Sequence, residues 1–138
     1  MITPQKPKPG EWVEIDPTGR DPHAPGAKLD AGKPMAWLCL SGFSNALYAV
    51  ADVTTKGALK YTKNGWVDVP DGQQRYMEAF ARHMLELGAG HQIDEDTGCH
   101  HKAQMIWNLL ASLELEIRAA VRNQTTLGAE HGIRQKKA

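Results

Sequence analysis

Apolar residues recur at three- and four-residue steps in three stretches of this chain, a spacing that predicts three amphipathic helices. The first carries Phe43, Ala46, Leu47, Val50, Ala51 and Val53, starting near Ser41 and ending between Gly57 and Tyr61. The second, about Gln73 to Leu87, lines up Tyr76, Ala79, Phe80, His83, Met84 and Leu87 as one stripe, and Gly88-Ala89-Gly90 stops it. The third, about Cys99 to Val121, is the clearest. Ala103, Ile106, Trp107, Leu110, Leu113, Glu114 and Ile117 keep helical phase, while Leu109, Leu115 and Ala119 add apolar character on other faces. That is more than one stripe needs, so this helix is either central to the fold or packs on a second copy of the chain.

The segments between follow different chemistry. Residues 1–34 hold seven of the eight prolines, with several glycines, and cannot sustain regular helix or central strand. An extended arm over residues 1–25 is expected there, pinned through Trp12, Val13 and Ile15 to the body or to a partner subunit. Thr62-Lys63-Asn64-Gly65 and Pro70-Asp71-Gly72 bracket Trp66 to Val69 with turn residues, and Asn64-Gly65 favours a tight turn. Ile93 to Gly98 is an acidic loop in which Asp96 or Thr97 can cap the third helix. The tail from Asn123 is polar. The expectation is a mainly α fold: a compact bundle of three to four helices over residues 26–122, an extended Pro/Gly-rich N-terminal arm, and a polar tail over 123–138.

Composition sharpens this in two ways. At 138 residues and 41% hydrophobic, the chain can bury a core without disulfide or metal staples. Sixteen basic residues balance sixteen acidic ones, which argues against a long nucleic-acid partner, since backbone gripping needs a basic excess. No stretch approaches the ~18 apolar residues of a membrane span, and the N-terminus lacks the apolar segment of a secretory signal. Cys39 and Cys99 stand far apart in no CxxC arrangement, so a reduced, cytoplasmic setting is expected.

Four constellations carry candidate chemistry. Lys28-Leu29-Asp30-Ala31-Gly32-Lys33-Pro34 could offer ammonium groups and backbone donors to phosphate, though it lacks P-loop spacing; a solvated turn has the same composition. Gly57, Lys60, Tyr61, Asn64 and Trp66 combine a cation, rings and an amide, as base or ribose recognition requires; they would equally anchor a helix end in the core. Arg75 and Arg82 lie seven residues apart on nearly one helix face and could fork onto a triphosphate, with His83 beside them. Asp94 and Asp96 precede His100, His101, Gln104 and Asn108. The last of these form, with His101 and Gln104, a polar stripe on an apolar helix. Buried without partners, each such group costs about 1–3 kcal/mol. His83, arriving from the adjacent helix, could complete a His/His/Asp site for a divalent metal; the alternative is a hydrogen-bonded network that sets helix register.

Taken in order, these patches resemble the dATP/dGTP diphosphohydrolase N-terminal domain family of tailed bacteriophages. The residues that carry the resemblance are Gly26-Ala27-Lys28-Leu29-Asp30-Ala31-Gly32-Lys33-Pro34, Gly57-Ala58-Leu59-Lys60-Tyr61 with Asn64 and Trp66, Arg75-Tyr76 with Ala79 and Arg82-His83, and Asp94, Asp96-Thr97-Gly98, His101 and Trp107-Asn108. They span about residues 26–118. The resemblance implies metal-dependent hydrolysis of a purine deoxynucleoside triphosphate, dGTP or dATP, to the monophosphate. Relatives often carry a second histidine three residues beyond the position of His101; here that position is Gln104. The paired ExxE and ExxD motifs of MazG-type pyrophosphohydrolases are also missing, and Asp52 and Glu78 do not rebuild them.

The resulting expectation is a hydrolase with His83, Asp94 and His101 as catalytic and metal-holding residues for Mg, Mn or Co. Lys33, Lys60, Tyr61, Asn64, Trp66, Arg75, Arg82 and Asn108 would bind the purine nucleotide or a related phosphorylated small molecule. No long nucleic acid and no membrane is expected as partner, and a homo-oligomer is, acting in the host cytoplasm if the chain is phage-encoded. Two other readings compete: a non-catalytic protein that sequesters a nucleotide signal of host defence, and an interaction module that binds no nucleotide.

Overall fold

A computed structural model of the chain describes the backbone of residues 14–135 and the side chains of residues 14–124. Its elements are α1 (Ala36–Gly42), α2 (Ser44–Lys60), a 3-10 turn (Gly65–Asp68), α3 (Gly72–Gly88) and α4 (His101–Gln135). The mainly α architecture is therefore the observed one, with four helices among the described residues and a lone antiparallel bridge between Ile93 and His100. No helix among the described residues is long and apolar enough to cross a membrane.

The chain divides into two units between Gly42 and Phe43, inside the stretch expected to form one domain. In the first unit, residues 14–35 form successive turns rather than helix or strand. Asp16 organises them. Its buried carboxylate accepts hydrogen bonds from the Thr18 amide (2.7 Å), the Thr18 hydroxyl (2.5 Å) and the Lys28 amide (2.8 Å). The Thr18 hydroxyl, then the Lys28 and Thr18 amides, hold that carboxyl below the usual carboxylate range. The Ala31 amide adds a bond to the Ile15 carbonyl at 3.1 Å. Of the residues expected to pin the arm, Trp12 and Val13 lie outside the described residues, and the Ile15 side chain is exposed. The short α1 buries none of its residues.

In the second unit α3 packs along α4, α2 also reaches α4, and the 3-10 turn lies against both α3 and α4. Asn64, in the left-handed region at φ 59°, turns the chain into that 3-10 segment. The turn delivers Trp66 to a three-ring cluster. Trp107 meets Trp66 at 6.1 Å and Tyr76 at 5.6 Å between centroids, both edge-on, and the Tyr76 hydroxyl donates to the Trp66 carbonyl at 2.8 Å. Burial pushes the Tyr76 hydroxyl above its ordinary pKa. Edge-to-face pairs of this kind contribute about 0.5–1.5 kcal/mol each beyond area burial. Nearby, Ser112 Oγ donates to the Gln73 carbonyl at 3.3 Å and ties α4 to the start of α3.

The limits of α2 and α3 agree with the periodicity to within a few residues, α1 is not among the three predicted helices, and α4 differs at both ends. That helix starts at His101, not Cys99, and continues through the segment expected as a polar tail to Gln135. The late start has a local cause: the Ile93–His100 bridge holds the preceding residues extended, and the His101 amide donates to the Gln92 carbonyl. Asp96 and Thr97 do not cap α4. The Thr97 hydroxyl instead accepts from the Cys99 amide at 3.2 Å, and the Asp96 amide is spent on Asp94 at 3.1 Å. The extension beyond Val121 meets no proline, so no backbone donor is lost along it.

Because Trp107 meets both other rings of the cluster, Trp107→Ala should lower the unfolding free energy by about 3 kcal/mol, and Trp107→Phe by less than half as much. Urea denaturation followed by far-UV circular dichroism measures both.

Candidate functional site

Eleven residues separate His83 from the first residue of α3, which places it about three turns into that helix. His101 opens α4. The connecting loop returns the chain so that their Nδ1 atoms stand 2.9 Å apart, with ring centroids at 5.2 Å. His101 is buried and His83 half-buried. A contact of this length between two ring nitrogens needs one donor and one acceptor. The ring that donates from Nδ1 keeps a basic Nε2, and the ring that accepts carries its proton on Nε2. A neutral pair thus presents one base and one acid. Burial, then the charge of His101 and that of Arg82, lowers the pKa of His83; Asp94 and Glu86 oppose the shift without reversing it.

Asp94 sits in the loop beside this pair. Its Oδ2 accepts from Gln104 Nε2 at 2.7 Å and from the Thr97 hydroxyl at 2.9 Å, while Oδ1 takes the Asp96 amide. Burial alone would raise its pKa. The bonds from Gln104, Thr97 and Asp96, with the charge of His101, outweigh that and hold it below the usual carboxylate range. Gly98, at φ 68°, closes the loop by donating its amide to the Asp94 carbonyl at 2.7 Å, a backbone conformation that side-chain-bearing residues rarely adopt. Farther along α4, Asn108 Nδ2 donates to the Gln104 carbonyl at 2.8 Å. His101, Gln104 and Asn108 are all buried, and among the described residues no buried side-chain nitrogen or oxygen lacks a partner.

A second polar group lies next to the first and escaped the reading of the sequence. Cys99, buried, has its Sγ 3.4 Å from Asp52 Oδ2 and 3.5 Å from Lys56 Nζ, and those two α2 side chains pair at 2.8 Å. The hydrogen bond to Lys56, then that of Cys99, lowers the Asp52 pKa; the bond to Asp52 raises that of Lys56. The four-residue spacing of Asp52 and Lys56 was the available signal. Nothing in the sequence placed Cys99 against them. Glu78, the other lone acid, accepts from Gln74 at 2.9 Å.

The expected nucleotide-binding residues are distributed more widely. Lys60 ends α2 with its ammonium 5.3 Å above the exposed Tyr61 ring, a cation–π pair open to solvent. Trp66 is committed to the aromatic cluster, and its other face meets the Arg118 guanidinium at 5.6 Å. Arg75 donates to the Pro70 carbonyl at 3.4 Å, at the opposite end of α3 from His83. Arg82 is exposed and adjoins His83 in sequence. Asn64 shapes the turn described above. Lys33 belongs to the first unit, where its amide donates to the Asp30 carbonyl at 3.1 Å, and Lys28 pairs with Asp30 at 3.2 Å.

His83, Asp94 and His101 are neighbours, but their donor atoms do not converge on a common point. Among the described residues no group of three or more His, Cys, Asp or Glu side chains could hold a metal ion. The two imidazole nitrogens are spaced like adjacent ligands of one ion, for which metal–nitrogen bonds of about 2.0–2.1 Å are usual. The carboxylate is turned away to Gln104 and Thr97. As arranged, the side chains do not close a resident metal site.

A family model described as dATP/dGTP diphosphohydrolase, N-terminal, matches residues 23–125. The chain belongs to that family. The matched span takes in the turns around Lys28, all of α2 and α3, the Asp94 loop, and α4 past Asn108. No curated protein and no solved structure matches the chain. Membership in that family gives the histidine pair its context.

The lowered His83 pKa fixes a sign for stability. The unfolded chain takes up a proton near the ordinary imidazole pKa of 6.5 while the folded chain resists it. Stability present above pH 6.5 should therefore decline as the pH falls below it. Thermal melts from pH 8 to pH 5 should show this decline in the wild type and a flatter profile in His83→Asn.

Proposed function

We propose that this chain hydrolyses a purine deoxynucleoside triphosphate to the monophosphate and pyrophosphate, with water activated at the His83–His101 pair. The observation that carries the reading is that pair, its rings in contact at 2.9 Å and the His83 pKa lowered by burial, adjoining a carboxylate held below its usual range, in a chain of a diphosphohydrolase family. The basic ring nitrogen takes a proton from the water that attacks phosphorus, and the 2.9 Å contact lets the two rings share the resulting positive charge. Asp94, ionised but engaged by amide and hydroxyl donors, stabilises that charge through its field. Arg82, exposed and next to His83 in sequence, supplies a cation for the triphosphate. The divalent ion, Mg, Mn or Co, enters with the triphosphate as part of the substrate.

A second reading has its own support. Gln104 Nε2 occupies the carboxylate oxygen of Asp94 at 2.7 Å, where relatives often have an imidazole. A chain that had lost turnover would bind a purine nucleotide, such as a signal of host defence, without cleaving it.

The deciding experiment incubates the full chain with dGTP, dATP and pyrimidine triphosphates in Mg2+, Mn2+ or Co2+ and resolves products by ion-exchange chromatography. Monophosphate and pyrophosphate should appear in equal amounts from the purine substrates. His83→Ala and His101→Ala should each reduce kcat by about 10²-fold or more, the usual contribution of a positioned base. Turnover equal to that of the double variant would reject catalysis at this pair. Calorimetric binding with the nucleotide recovered intact, together with turnover gained in Gln104→His, would establish the second reading.

A further inference from the structure

The distribution of side-chain size on α4 is the reverse of what water dictates for a solitary chain. Its buried positions are small or polar: Ala103, Gln104, Asn108, Ala111 and Ser112. Its large apolar residues face out. Ile106, Leu109, Leu110, Leu113, Ile117 and Val121 are between 41% and 56% exposed. Single exposed apolar residues need no explanation, but a continuous row of them does.

The spacing of the row identifies what it packs against. Ile106, Leu110, Leu113 and Ile117 step by four, three and four residues, the repeat that seats one helix against another at a shallow left-handed crossing. From Ile106 to Val121 the row runs about 22 Å at 1.5 Å per residue. Its six residues leave on the order of 500 Å² uncovered. That is near the top of the ~300–600 Å² of the largest patch on a typical monomer, and most of the roughly 800 Å² each partner buries in an ordinary stable interface.

We propose that a second copy of this chain covers the α4 row, in an isologous two-fold dimer whose α4 helices pack antiparallel through Ile106, Leu110, Leu113 and Ile117. The row is self-complementary in size and spacing, which a two-fold axis through its middle exploits, and full overlap puts Leu113 nearest that axis. Charge permits the pairing. The chain has zero formal net charge, and Glu114 and Arg118, which flank the middle of the row, neutralise each other at 2.7 Å within their own helix. The dimer clamps the outer face of the helix whose inner face carries His101, Gln104 and Asn108, so pairing and site geometry share one element. The inference is independent of which nucleotide chemistry the chain performs.

Sedimentation velocity and light scattering on the full chain test it. The wild type should have twice the 15.2 kDa mass of one chain, and Leu113→Glu should halve it, while Leu59→Glu on exposed α2 surface should change nothing. A monomeric wild type, or a Leu113→Glu protein that keeps its partner, would overturn the proposal. Should Leu113→Glu lose its helical circular dichroism, a cysteine scan decides. In a Cys39→Ser background, Leu113→Cys should form an intermolecular disulfide under mild oxidation and Leu59→Cys should not. Absence of that cross-link also overturns the proposal.

Discussion

Two imidazole nitrogens 2.9 Å apart can share one proton, never two. That constraint governs the junction of α3 and α4. Contact so close requires the helices to approach each other closely, and the buried residue of α4 two positions from His101, Ala103, is small enough to allow it. A larger residue there would press the rings apart and leave each with an unpaired nitrogen. The small inner face of α4 and the histidine pair are thus two consequences of one packing choice.

The same choice explains why polar groups do work that apolar groups usually do. Gln104, Asn108 and Ser112 fill inner positions on α4, and each reaches a defined partner: a carboxylate on the loop, a carbonyl one turn back, a carbonyl at the start of α3. Direction-dependent bonds of this kind fix register between helices more tightly than sliding apolar contacts do, but they contribute only about 0.5–1.5 kcal/mol each. The aromatic cluster of the second unit, Trp66, Tyr76 and Trp107, lies toward the other end of α3 from His83. The ring cluster and the candidate chemistry therefore occupy separate ends of the helix pair.

This division also accounts for how much the sequence disclosed. Periodicity located α2 and α3 to within a few residues because their stripes and their glycine stops are local signals. The shared face of His101, Gln104 and Asn108 was likewise legible from three- and four-residue spacing. What the spacing could not supply was partner choice. Trp66 carries a ring that suits a base as well as a core, and only the arrival of Tyr76 and Trp107 from two other helices decides between them. The start of α4 depends on a bridge between Ile93 and His100, and the Cys99 contact on residues some 45 positions away, so neither is written in any short window. In the first unit, the tertiary bond from Asp16 to the Lys28 amide joins distant positions and was not readable.

Gln104 links these threads. An imidazole at that position would offer either a lone pair or a proton, depending on its tautomer. The amide that stands there offers Asp94 an N–H that no change of protonation can withdraw. Asp94 is thereby kept ionised by dipoles, and its charge acts on the histidine pair across space without a shared ligand between them. The His101 charge favours ionised Asp94, and Asp94 favours protonated His83. A carboxylate fixed in this way can steady a transient imidazolium without taking its proton, because each of its oxygens is already occupied by a donor.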